Sequence, residues 1–80
     1  MNYAALIAPA GDAFAVTPSD ATHLHANALF VGTSGDVTVV TEAGTTVTFK
    51  NVPTGSILPV RVSQVKSTGT TASDIVGLVD

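Results

Sequence analysis

The sequence predicts an all-β fold, either a small β-sandwich or an open barrel of about six strands. Valine and threonine each occur twelve times among the 80 residues, and β-branched residues favour strands. From Leu29 to Val79, glycine-containing turns separate short apolar runs about every ten residues, a spacing typical of small all-β domains. The length fits a single domain.

Six segments are predicted as strands from their β-branched content and their flanking turn residues. They are residues 13–17, 28–32, 36–41, 45–50, 57–66 and 74–79. In the third and fourth segments, valine and phenylalanine alternate with threonine. This alternation predicts one apolar face and one threonine face, as in a sheet that is buried on one side. Residues 42–45 lie between these two strands and predict a short hairpin connection.

The fifth segment, 57–66, contains a change of phase. Leu58, Val60 and Val62 would share one face of a strand, whereas Val65 would fall on the other face. A β-bulge or a strand that crosses from one sheet to another would explain this change. Pro59 has no backbone N–H, so this end of the segment is expected at an edge or a bend.

The first part of the chain lacks a strand-like alternation. We expect residues 1–12 to form an N-terminal arm that docks on a neighbour, and residues 13–80 to form the single β domain. A first strand within the arm is an equally compatible alternative. Residues 20–27 are expected to form a loop or one helical turn, after the turn signal at 17–20.

The composition favours a homo-oligomer. Hydrophobic residues make up 45% of the chain and charged residues only 11%, well below the usual share of about 25%. A small domain without cysteine has neither disulfides nor thiolate metal sites to stabilise it. Exposed apolar surface on such a chain normally marks a contact site.

Charge and hydropathy argue against several classes of partner. With three cationic residues and a net charge of −3, the chain lacks the basic surface that binds nucleic acid. No apolar run approaches the roughly 20 residues that span a bilayer, so no membrane partner is expected. No lysine or arginine lies near the start, as a signal peptide would require. Synthesis in a cytoplasm is therefore expected.

Reactive residues are sparse, and we predict neither catalysis nor a cofactor. His23 and His25 would share one face of an extended segment, where Asp20 or Asp36 could add a ligand. The alternatives are two polar loop residues or a subunit contact, and a metal would need further ligands around a symmetry axis. We predict no metal. The segment 32–35 (GTSG) lacks the pattern of a hydrolase nucleophile and predicts a turn instead.

Two segments are the candidates for an interface, either between copies in an oligomer or with a larger assembly. The first comprises Leu58, Pro59, Val60 and Arg61, and the second is the arm with Tyr3, Leu6 and Ile7. Arg61 could form an intersubunit salt bridge or contact a carbonyl group, or it could be an ordinary exposed strand arginine.

Five segments, in this order, carry a resemblance to a known family. They are AVTPSD (15–20), FVGTSGDV (30–37), VTFKNVPTG (47–55), LPVRV (58–62) and TGTTA (68–72). Together they resemble a small virion protein family of tailed bacteriophages and of the related gene transfer agents, the spike base protein of the head. The resemblance extends over residues 13–79, without a match for residues 23–27 or for the first dozen residues.

The resemblance implies a non-enzymatic virion structural protein on the outer surface of the capsid. It would form the base of a head spike or decorate the head, with the major capsid protein and a spike or fibre protein as partners. A ring at a capsid vertex favours a pentamer over a trimer. The alternatives are a cement protein that clamps neighbouring capsomers, or a receptor- or glycan-binding module of a fibre.

Overall fold

The computed structural model describes residues 11–79, which form seven β-strands. The strands are β1 (Asp12–Val16), β2 (Ala28–Thr33), β3 (Gly35–Thr41), β4 (Thr46–Val52), β5 (Ser56–Leu58), β6 (Val62–Val65) and β7 (Ser73–Val79). No helix is present within the described range 11–79, and hence none that could cross a membrane. The predicted all-β class is confirmed.

The strands form two antiparallel sheets. The four-stranded sheet has the order β1-β7-β2-β5, and the three-stranded sheet has the order β4-β3-β6. In the larger sheet, β7 lies between β1 and β2, so the first and last of the seven strands are hydrogen-bonded neighbours. The predicted hairpin joins β3 to β4, and Gly44 lies in its turn with a φ of 95°.

The two sheets pack against each other around one apolar core. Leu29, Val31 and Ile75 come from the larger sheet, and Val37 and Val39 come from the smaller one; all are buried. The predicted apolar face of β3 and β4 is confirmed by the register, which pairs Val39 with Val47 and Val37 with Phe49. Val47 nevertheless remains 37% exposed, because β4 is an edge strand.

The prediction of one strand over residues 57–66 is wrong. The segment forms β5 in the larger sheet and β6 in the smaller one, which gives seven strands instead of six. Residues 59–61 carry the chain between the sheets, and the Val60 N–H donates to the Leu58 carbonyl at 2.9 Å. This local bond replaces a ladder bond, so strand pairing stops there. Of the two explanations considered, the crossing between sheets is confirmed.

Residues 19–26 run beside β6 without a helical turn. The N–H groups of Ser19, Leu24 and Ala26 donate to carbonyls of β6 at 2.8–3.2 Å. The Gln64 amide Nε2 also donates to the Ser19 carbonyl at 3.1 Å. This segment therefore covers the edge of the smaller sheet that β6 would otherwise expose.

A close backbone approach fixes the start of β3. The N–H groups of Thr71 and Ala72 both donate to the Asp36 carbonyl, at 2.9 and 3.1 Å. The Asp36 N–H in turn donates to the Thr71 hydroxyl at 2.9 Å. A Cβ at Gly35 would lie 2.5 Å from the Ala72 nitrogen. Only glycine fits at this crossing of two backbone segments.

Candidate interaction surface

The side of the larger sheet that points away from the core is an apolar surface. Its members follow from the register, because residues paired across antiparallel strands share a face. Ala13 pairs with Leu78, Ala15 with Val76, Ala28 with Leu78, Phe30 with Val76, and Phe30 with Ile57. We call this surface the outer face; it comprises Ala13, Ala15, Ala28, Phe30, Ile57, Val76 and Leu78.

These seven side chains are uncharged. The exposed carboxylate of Asp74 lies on the same side of the sheet beside Gly32 and accepts a hydrogen bond from the Thr33 hydroxyl at 2.8 Å, so it borders the outer face. Ile57, on the edge strand β5, is 56% exposed. Ala13 and Ala15 are also exposed, and the other four residues are half-buried. Contiguous exposed apolar surface of this kind normally marks a site of protein–protein contact. The outer face therefore has the chemistry of a binding surface for another apolar element.

The corresponding side of the smaller sheet is different. Thr38 pairs with Thr48, and Val40 pairs with both Thr46 and Gln64. The hydroxyls of Thr38 and Thr48 lie 2.9 Å apart and form a hydrogen bond across the strands. This side is polar, so the two outward sides of the sandwich differ in character, and the apolar one belongs to the larger sheet.

Sequence reasoning missed the outer face, although the sequence contains a signal for it. Residues 28–31 (ALFV) and 75–79 (IVGLV) are continuous apolar runs without alternation. Such runs are typical of strands that are covered on both faces. In the described part of the molecule only one face of β2 and β7 is covered, by the core. The second apolar face is the outer face.

The predicted contact segment Leu58–Arg61 lies at the crossing between the sheets. Leu58 and Val60 are half-buried and pack against the core, while Pro59 and Arg61 are exposed. Leu58 directly follows Ile57, so the segment adjoins one end of the outer face. Its role in an interface stays a prediction. Tyr3, Leu6 and Ile7 lie outside the described residues.

Arg61 forms an ion pair within the chain. Its Nη1 lies 3.7 Å from Oε2 of Glu42, and the two side chains are 64% and 55% exposed. The Glu42 N–H also donates to the Arg61 carbonyl at 3.0 Å. An exposed ion pair of this kind contributes about 0–1 kcal/mol to stability. Arg61 therefore remains accessible to a partner carboxylate or carbonyl.

The two histidines lie in the segment that runs beside β6. His23 and His25 are both exposed. Over residues 11–79, no group of three or more histidine, cysteine, aspartate or glutamate side chains is close enough to hold a metal ion.

Asp20 anchors the turn after β6. Its Oδ1 accepts a hydrogen bond from the Thr68 N–H at 3.1 Å, and its Oδ2 accepts one from the Thr68 hydroxyl. These bonds, with the hydroxyl of Thr68 as the largest contribution, lower the pKa of the Asp20 carboxyl below its ordinary value. The carboxylate thus ties the 19–26 segment to the loop before β7.

We expect the stabilisation from Asp20 to be lost in acid. A carboxyl whose pKa is lower in the folded state than in the unfolded state stabilises the fold above the unfolded pKa of about 3.9. That stabilisation disappears as the pH falls through the folded pKa. Carboxyl NMR titration should give Asp20 a midpoint below its ordinary value, and Thr68→Val should raise that midpoint. An unchanged midpoint in Thr68→Val would show that the Thr68 hydroxyl does not stabilise the carboxylate.

Comparison with known proteins finds similar chains among the solved structures. The chain is similar to a protein chain in the capsid of a native GTA (gene transfer agent) particle, computed with C5 symmetry. The two are 42% identical, with a TM-score of 0.81, and the match covers 98% of this chain and 99% of the other. No protein-family model and no curated protein matches the sequence.

Proposed function

This chain belongs to the same protein family as that component of the gene transfer agent capsid, and we propose that it is a structural protein of a phage or phage-like particle. The observation that carries the proposal is the 42% identity over nearly the full length of both chains. The TM-score of 0.81 shows that the two chains share the whole sandwich. The finer proposal is that the protein lies on the outside of the capsid and forms the base of a head spike.

Self-association is the property that such a base needs. The outer face supports it, because seven apolar side chains on one side of a small domain are stabilised when another surface covers them. A ring of five copies is the arrangement we propose. The similar chain belongs to a capsid that was computed with C5 symmetry, and a five-copy ring is compatible with a fivefold axis of such a shell.

The charge of the chain supports a position on the exterior. The net charge is −3, so the electrostatic field of the protein opposes close approach to packaged DNA. The outside of the shell is the surface on which this repulsion is smallest. There the partners would be the major capsid protein below the ring and a spike or fibre protein above it.

In this proposal the protein contacts the shell through the crossing between the sheets, residues 59–61. Pro59 and Arg61 are exposed at this point, where the chain passes from β5 of the larger sheet to β6 of the smaller sheet. Arg61 offers donors to a carboxylate or carbonyl of the capsid protein. A role of this kind depends on binding alone and involves no turnover or cofactor.

Native mass spectrometry of the purified full chain tests the proposal. We expect a discrete oligomer of five copies at micromolar concentration, together with binding to heads from particles that lack this protein. A trimer that binds heads at threefold positions would replace the spike base with a cement protein. Failure of the purified protein to bind such heads, in any oligomeric state, would contradict the capsid role itself.

A further inference from the structure

We infer that the outer face of the larger sheet binds the N-terminal segment, residues 1–10, of a neighbouring copy of this chain. The inference rests on the self-assembly proposed above and identifies its contact. It assigns the surface on which the predicted arm docks, which the sequence alone did not identify.

The two elements match in chemistry. Eight of the ten residues of the segment MNYAALIAPA are hydrophobic, and none has a charged side chain. The seven side chains of the outer face are also uncharged, and the largest are Phe30, Ile57 and Leu78. The bordering Asp74 carboxylate already accepts a hydrogen bond from Thr33. Burying apolar side chains against such a face leaves no ionised side chain without a partner. A charged arm would be a poor occupant of this surface.

The segment also has the required position and length. The described chain begins at Gly11, directly before β1, which is an edge strand of the same larger sheet. The segment therefore leaves the domain at its rim. Ten extended residues reach about 33 Å, whereas four strands are only about 15 Å across.

Over residues 11–79, the exposed apolar side chains outside the outer face are too few to support association on their own. This indicates that the bound segment comes from a neighbouring copy and not from the same copy. Among the described residues, the exposed large hydrophobic side chains are Ile57 on the outer face and Val47 on β4. If each copy covered its own outer face, Val47 would be the one large exposed apolar side chain left there for association. When the segment passes to the next copy, each copy contributes one segment and one face. Such head-to-tail contacts form a ring when the rotation between successive copies closes.

Disulfide trapping tests this contact, and the cysteine-free chain suits the method. The full-length variants Leu6→Cys and Ile57→Cys are prepared separately, and the second is labelled with nitrogen-15. The two are mixed in denaturant, refolded together and then oxidised. A disulfide requires Cα atoms within about 7 Å. We expect a covalent dimer of one light and one heavy chain. The control is Val47→Cys in place of Ile57→Cys, which should give at least ten-fold less mixed dimer.

Each outcome bears on the inference. A mixed dimer that needs Ile57→Cys supports it. An intramolecular disulfide in the double variant Leu6→Cys/Ile57→Cys, without a mixed dimer, would show that each copy covers its own face. If the Leu6→Cys and Ile57→Cys variants still assemble into an oligomer but form no mixed disulfide, the inference is overturned. The proposed function is not affected by that result. Loss of head binding by the unmodified protein would contradict the proposed function instead.

Discussion

Replacing Ile75 with alanine is expected to lower the free energy of unfolding by about 2–5 kcal/mol. Ile75 lies on β7, is 2% exposed and belongs to the core between the two sheets. The loss combines the missing burial of the side chain with the cavity that it leaves. Small domains have about 5–15 kcal/mol of total stability, so the variant should be marginally folded at 25 °C. Urea unfolding at several protein concentrations measures the effect.

Ile57→Ala is the matched control for this substitution. The same side chain is removed, but Ile57 is 56% exposed on the outer face. We expect little change in the unfolding of the dilute monomer, and a weaker oligomer as the concentration rises. The Ile75→Ala loss should be independent of concentration. Equal losses for the two variants in the monomer would show that Ile57 is part of the folded core, contrary to the structure.

Replacing Gly35 with alanine is the second substitution with a large expected effect. The new Cβ would lie 2.5 Å from the nitrogen and 2.8 Å from the Cα of Ala72, both backbone atoms. A side chain could rotate away, but this backbone is held by the two hydrogen bonds from Thr71 and Ala72 to Asp36. We expect a loss of about 1–3 kcal/mol or more, as for other overpacked sites, measured by thermal or urea unfolding.

Gly44→Ala provides the control for Gly35→Ala. Gly44 lies in the β3–β4 hairpin with a φ of 95°, and a Cβ there would meet no atom within 4 Å. Its cost is backbone strain alone, about 1–2 kcal/mol. A larger loss for Gly44→Ala than for Gly35→Ala would mean that the chain separates easily at the Gly35–Ala72 crossing.

The strands that sequence reasoning predicted well are those in which the alternation and the turn residues agree. The segment 36–41 matches β3 within one residue, because the Val37–Val39 alternation and the flanking glycines mark the same element. The prediction of one strand over residues 57–66 was wrong because the alternation of Leu58, Val60 and Val62 continues through the crossing between the sheets. Strand pairing is interrupted by a backbone hydrogen bond from the Val60 N–H to the Leu58 carbonyl. A backbone bond of this kind cannot be predicted from the pattern of apolar and polar side chains.

The candidate surface was harder to predict for a related reason. A search for charged and reactive residues draws attention to Arg61 and the histidines, yet the outer face consists of residues that read as ordinary core. Phe30 and Val76 differ from Leu29 and Ile75 only by one position in the strand, which places them on the opposite face. Which apolar face is left uncovered depends on how the two sheets pair, and this is a property of the assembled fold.

The neighbouring positions of β1 and β7 determine when the larger sheet can form during synthesis of the chain. β7 lies in the middle of the larger sheet but comes last of the seven strands along the chain. While the polypeptide is being synthesised, β1 has no partner and β2 has only β5 until residues 73–79 emerge. We therefore expect the larger sheet to form only after β7 has been translated, because its central pairings are non-local in sequence. A chain interrupted before β7 would lack the strand that joins β1 to β2, so we expect truncated products to be unable to form the larger sheet and its outer face.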